Sequence, residues 1–367
     1  MSLLDEGSFF LPGPTEVHPD VLAAQTRPMI GHRGAAIRTL MERLQDGLKE
    51  VFRTERPVIV SSSSATGLME AAVRNGAHRK VLSLVNGAFS ERFAEIARAC
   101  GLEVDVLEVP WGEAHDPAAV RERLAGGDYE AVTVVHSETS TGVLNPVGEI
   151  AAVVREHPHV LVLVDGVTSV GGAPVRTDDW GLDFVLTGSQ KALAVPPGLA
   201  FGVASERMME RSAVATRKGV YFDLHEFMKK LKTFETPNTP AVSLFYALDV
   251  QLQRVASETL EARWARHAAL RDRTLAWVEA QAADGVGIGV LAPEGVRSPT
   301  VTCVTLPDGM DGPAVVAGMK AKGWVIGGGY GKLKPTSVRI GHMGDHTLEA
   351  LERLLGDLGT VLEGLAR

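Results

Sequence analysis

Two cysteines, Cys100 and Cys303, are all that the 367-residue chain contains. So small a complement excludes a disulfide framework and a cysteine-built metal site. Cys100 falls in a helical run and Cys303 in the strand-like TVTCVTL, and both read as buried apolar residues rather than nucleophiles. No run is long and apolar enough for the ~20 residues of a membrane span. The start, MSLLDEGSFF, carries acids where an export signal would carry bases. A reducing cytoplasm is the compartment expected. Positive charge is not in excess either. There are 37 Lys and Arg against 45 Asp and Glu, a formal net charge of −8. That balance argues against a general nucleic-acid binder, while a local arginine cluster can still serve a small anionic substrate.

Common catalytic motifs are also missing. GVTSVGG has a serine but misplaces the first glycine of a G-x-S-x-G elbow. GGGYGKL lacks the spacing and the hydroxyl residue of a phosphate-binding P-loop, and His225-Glu226 is not followed by a second zinc-binding histidine. No G-x-G-x-x-G follows the first strand-like run.

What is present is alternation. AAIRTLMERLQDGLKEVF places Ile37, Leu40, Met41, Leu44, Leu48, Val51 and Phe52 at helical spacing. Strand-like PVIVSS, VLSLV, EVDVLEV, AVTVVHS and LVLVDG are separated by helical stretches. Strands apolar on successive residues, as in VLVLVD, are expected to be covered on both faces. The pattern predicts an α/β domain with a mainly parallel sheet flanked by helices. Near residue 240 it changes. A helical region over 241–283 leads into SPTVTCVTL, GPAVVAGMKAKG, WVIGG, SVRIG and a final helix from His346. We therefore expect an extended arm over 1–15, a large domain over 16–250 and a smaller α+β domain over 251–367.

Open α/β sheets build their sites at the carboxyl ends of the strands. After PVIVS comes SSSATG, a helix start at about Ser64, whose N–H groups suit an anion but also suit a plain N-cap. After AVTVV comes the polar turn HSETSTG. After LVLV comes Asp165, which needs a cation or a donor if buried, or else serves a turn. After DFVLT comes GSQK, where Lys191 stands among small and apolar residues. A lysine there either snorkels to the surface or is desolvated toward its neutral, nucleophilic form. An anion cradle, a carboxylate and an isolated amine are the three groups that pyridoxal phosphate requires.

From FLPGPTEVHPDVL to SVRIGHMG the chain resembles the class V aminotransferases of pyridoxal-phosphate fold type I. It is most similar to their alanine–glyoxylate / serine–pyruvate branch. HSETSTGVLNP, LVDGVTSVGG and GSQKALAVPPG, in that order, carry the resemblance. The resemblance implies pyridoxal 5′-phosphate as cofactor and Lys191 as the Schiff-base lysine. It implies Asp165 as partner of the pyridinium nitrogen, Val167 on one ring face and Phe89 stacked on the ring, where the family often has tryptophan. Ser64, Ala65, Thr66 and Gln190 match phosphate contacts, and Thr139 the hydroxyl near the ring hydroxyl. Arg339 resembles the arginine that binds the substrate α-carboxylate. Asn238 and Thr239 in TPNTP resemble residues that reach the phosphate of a second subunit, which implies a homodimer with shared sites. The reaction implied is ping-pong transamination between alanine or serine and glyoxylate or pyruvate.

A second reading within the class is phosphoserine aminotransferase. His32-Arg33 resembles the pair by which that enzyme holds a substrate phosphate, although the second His-Arg pair near its C-terminus has no match in GGGYGKLKPTSVRIGHMG. His32 and Arg33 could instead meet a second carboxylate or hold the dimer. A cysteine desulfurase would need a loop cysteine, and neither cysteine falls in a loop. A non-catalytic descendant would have lost the lysine, the aspartate or the arginine.

Overall fold

The computed structural model describes residues 7–366. Residues 1–6 of the expected arm, and Arg367 at the end of the expected small domain, lie outside the described residues. The described chain opens with β1 (Ser8–Phe10), α1 (Pro19–Ala24), α2 (Ala35–Phe52), β2 (Val58–Ser61) and α3 (Ala65–Gly76). Next come β3 (Lys80–Val85), α4 (Ala88–Ala99), β4 (Glu103–Glu108), α5 (Pro117–Ala125), β5 (Ala131–Val135), β6 (Ser137–Glu138) and β7 (Val143–Leu144). They are followed by α6 (Val147–Arg155), β8 (Leu161–Asp165), β9 (Phe184–Gly188), β10 (Ala200–Ala204), α7 (Glu206–Val214) and α8 (Leu224–Leu231). The last part holds α9 (Val242–Glu258), α10 (Leu260–Ala283), β11 (Gly289–Val290), β12 (Val301–Thr305), α11 (Gly312–Ala321), β13 (Trp324–Gly328), β14 (Ser337–Gly341) and α12 (Leu348–Leu365).

The main sheet has the order β2-β10-β9-β8-β5-β3-β4. Its neighbours pair in parallel except β10, which runs antiparallel to both β2 and β9. Every residue of β5, β8 and β9 is buried, as unbroken apolar runs covered on both faces require. β4 is one edge of the sheet, and its Glu103, Asp105 and Glu108 leave it less buried, which discourages pairing with another chain. The helical spacing of α2 is realised, with Ile37, Leu40, Met41, Leu44, Leu48, Val51 and Phe52 all buried.

A second sheet has the order β1-β13-β14-β12-β11. β1 joins it in parallel, with Phe10 opposite Ile326. Ser8–Phe10 of the expected arm are therefore a strand of the second sheet, and Phe10 packs into the same core as Leu270, Val304, Ile340 and Leu355. The helical region expected over 241–283 is two helices. Thr259 breaks it at φ 69°, and its side chain accepts the Ala262 N–H to start α10. The first core continues through Leu260 and the second takes over at Leu270, so α10 spans both. Among the described residues no helix is long and apolar enough to cross a membrane.

Candidate active site

The strand ends are level with one another. Val135 of β5, Asp165 of β8 and Leu186 of β9 stand abreast, and Ser61 and Gly188 flank Ala200 two residues further along β9. Four loops therefore leave the sheet along one edge.

Asp165 is carried into that edge by LVLV and is only 3% exposed. One oxygen accepts the Val167 N–H at 2.8 Å. Burial pushes its carboxyl up to about 7, opposed by that hydrogen bond, raised further by Glu138 and lowered by Lys191 and Arg92. A carboxyl so placed ionises readily only when a cation is brought to it. Lys191 lies just past β9 and is partly buried. Burial brings its amine down to about 8, and Arg339 acts in the same direction while Asp165 opposes.

The arm forms one wall of the site. Lys191 Nζ donates to the Pro12 carbonyl at 2.6 Å. Gly13 has φ +113°, and a Cβ there would overlap the lysine amine. Thr15 N–H donates to Gln190 O at 3.0 Å, and its hydroxyl donates to Lys191 O at 3.0 Å.

At the start of α3, Ser64 is the N-cap but makes no side-chain capping bond. The first N–H groups of this helix are thus left without a side-chain cap, an arrangement suited to a phosphate. Gln190 is beside them. Its Oε1 lies 2.8 Å, and the Ala65 Cβ 3.4 Å, from where a Cβ on Gly188 would be. Ser64 and Thr66 are exposed and Ala65 is buried. Phe89, on the first turn of α4, and Val167 are each partly exposed. The Thr139 hydroxyl lies 3.2 Å from that of Thr168.

Arg339 sits in β14, which brings the second sheet to the same edge. Its Nε donates to Gly328 O at 2.8 Å and its Nη1 to Thr139 O at 3.3 Å. Burial lowers its pKa, and among the described residues no carboxylate pairs with it. The rest of its Nη1/Nη2 edge remains available for a bidentate contact.

Among the described residues, no hydrogen bond or ion pair joins His32 or Arg33 to Asp165, Lys191 or Arg339. Arg33 donates to Thr236 O at 2.6 Å and Pro237 O at 3.1 Å, with Glu235 at 3.6 Å. His32 is partly exposed in the preceding turn. Arg33 thus braces the turn that presents Asn238 and Thr239, which are exposed and border a small cavity with Ser61, Ser62 and Tyr221.

Glu138, Arg92 and Tyr330 enter the site without having been anticipated. Glu138 is fully buried. It accepts Ser90 N–H at 2.9 Å, Ser140 N–H at 3.1 Å and Ser140 Oγ–H at 2.6 Å, which pins the HSETSTG turn to the start of α4. Arg92 is one helical turn beyond Phe89, at the i+3 spacing that makes side chains meet, and its guanidinium lies 5.1 Å from that ring. Nothing in the local spacing points to Tyr330.

Among solved structures, alanine–glyoxylate aminotransferase of Nostoc sp. superposes with a TM-score of 0.92 at 32% identity, over 99% of this chain and 96% of that one. The fold is that of a fold type I pyridoxal-phosphate-dependent transferase. Residues 15–341 match the family model described as Aminotransferase class-V. An uncharacterized aminotransferase of Methanocaldococcus jannaschii is 41% identical over 95% of this chain and 92% of its own length. The L-aspartate–glyoxylate aminotransferase of Paracoccus denitrificans is 32% identical over 98% and 94%. The chain belongs to the class V aminotransferase family. The residues present suit the family's cofactor: an uncapped helix start for its phosphate, a desolvated carboxyl for its ring nitrogen and a depressed lysine for its aldehyde.

Proposed function

We propose that this enzyme uses pyridoxal 5′-phosphate to move an amino group from a small amino acid, alanine or serine, to glyoxylate or pyruvate. The observation that supports the reading most is the meeting of Lys191, Asp165 and Arg339 at one strand edge, with charges close enough to shift one another. Ser64, Ala65, Thr66 and Gln190 would hold the phosphate, with Asn238 and Thr239 of a second copy reaching across a two-fold axis. Phe89 and Val167 would cover the two ring faces, and Thr139 would meet the ring hydroxyl. When bound, the cofactor supplies an electron sink for the carbanion at the donor Cα.

The chain's own residues do the rest. Asp165 would hold the ring nitrogen protonated, since burial raises its own pKa and its ionised form gains from a cation beside it. Arg339 grips the α-carboxylate and so orients the Cα–H bond toward Lys191. The Lys191 amine, brought down to about 8 by burial, would take that proton from Cα as general base and deliver it as general acid to the carbon that carried the cofactor's aldehyde. The second half-reaction with the oxo acid reverses these movements.

The phosphoserine reading rests on His32-Arg33, and here the Arg33 guanidinium is occupied by the Thr236 and Pro237 carbonyls. The test is spectroscopic. The enzyme reconstituted with the cofactor will be yellow, and Lys191→Ala will lose that visible band. Alanine, serine, aspartate and phosphoserine are then mixed separately with the yellow enzyme. Bleaching by alanine or serine is expected, and bleaching chiefly by phosphoserine would overturn the substrate assignment.

A further inference from the structure

The segment joining β13 to β14 leaves the second sheet and touches α4 and the turn after β4 through two residues. Tyr330 is the first. Its ring centre lies 5.3 Å from that of Phe89, inclined by 36°, and its hydroxyl accepts Arg92 Nη2 at 2.9 Å. The Arg339 guanidinium lies 5.4 Å from the same ring. Lys332 is the second, with its amine 4.4 Å from the Trp111 ring centre. Gly331 fits between them because a Cβ there would come 3.2 Å from Trp111.

Phe89, Arg92 and Tyr330 thus touch one another in a triangle, and Arg339 joins it through the Tyr330 ring. Among the described residues, neither arginine has a carboxylate partner. Two carbonyls hold Arg339 at Nε and Nη1. The Tyr330 ring, whose face attracts a cation, is a third contact of the same guanidinium. Arg92 in turn holds Tyr330 by its hydroxyl and lies over Phe89.

We propose that Tyr330 is a positioning residue for the α-carboxylate. It sets the Arg339 plane and, through Arg92, ties that plane to Phe89, so the carboxylate is read at a fixed place relative to the ring stack and Lys191. This rests on the reading of Arg339 as the carboxylate clamp.

The experiment compares alanine with ethylamine, which has no carboxylate, in half-reactions of the cofactor-loaded enzyme. It also measures the Kd of propionate, which cannot react, by calorimetry. Tyr330→Ala is expected to raise the alanine KM about tenfold or more with a smaller change in kcat, to weaken propionate by a similar factor and to affect ethylamine far less. Tyr330→Phe and Arg92→Met are expected to give smaller losses, and their combination no more than the larger of the two. Equal losses for alanine and ethylamine in Tyr330→Ala, or an unchanged propionate Kd, would overturn the proposal. Arg339→Lys is the control. If it leaves the preference for alanine over ethylamine intact, the clamp reading fails. If it collapses that preference while Tyr330→Ala does not, only the role of Tyr330 fails.

Discussion

At the residue scale, Asp165 is the group whose chemistry and stability are most directly opposed. In the cofactor-free protein its folded-state pKa of about 7 stands above the ordinary 3.8. A raised pKa gives stability that is fully present below the unfolded value and is lost as pH rises through the folded one. The cofactor-free protein will therefore lose stability between about pH 4 and pH 7–8, by no more than about 4 kcal/mol. Asp165→Asn keeps the bond from Val167 N–H but cannot ionise. Its cofactor-free form will match the native protein at low pH and melt higher at pH 8, while the loaded variant will transaminate about a hundredfold slower or worse. Thermal unfolding of stripped protein across pH checks the first half, independently of activity. A variant that melts lower at pH 8 would mean that the carboxylate already has a cation of its own.

At the element scale, the Leu11–Thr15 segment is a working part of the site. It passes beside Gly327, where a Cβ would meet Pro12 Cδ at 2.8 Å, and under Lys191, where Gly13 is required both by its φ of +113° and by the lysine itself. Gly13→Ala combines an unfavourable backbone conformation with a collision at the amine. It is expected to displace Lys191, weaken or shift the visible band of the loaded enzyme and cut turnover by about a hundredfold. A normal spectrum and rate would show that the arm yields. Legibility divides along this line. Strand-end residues such as Asp165 and Lys191 were readable, because an apolar run that stops at a polar residue fixes both its depth and its edge. Arg92 was within reach at i+3 from Phe89. Pro12 and Tyr330 were not, since each arrives from the other sheet and local periodicity does not encode contacts between sheets. The break at Thr259 was hidden because VSLFYALDVQLQRVASE and LEARWARHAAL both read as helix, and only a positive φ separates them.

At the scale of the whole molecule, the two cores must keep Arg339 and Lys191 in register, and Arg263 is the side chain that links their supports. It is only 1% exposed. From α10 it donates Nη1 to Glu258 at 3.0 Å and to Asp345 at 2.8 Å, and Nη2 to the carbonyl of Ala192 at 2.8 Å. Ala192 follows Lys191, and Asp345 lies just beyond β14. Arg266, one turn along, donates to the carbonyls of Gly344 and His346. Burial pushes both the Glu258 and Asp345 carboxyls up, yet the arginines hold them below their ordinary values. Depressed carboxylates stabilise the fold above their unfolded pKa, and that contribution disappears as pH falls through the folded value. Arg263→Met leaves Asp345 without its strongest partner and the Ala192 carbonyl without a donor. It is expected to cost about 3–5 kcal/mol at pH 7, and to weaken the acid limb of the stability curve, chiefly through Asp345, because Glu258 keeps Arg266 as its partner while Asp345 retains only Arg254 and Gln251. Denaturant titration at several pH values measures both effects. A uniform loss with the acid limb unchanged would assign Arg263 to packing alone and free the lysine turn from the small domain.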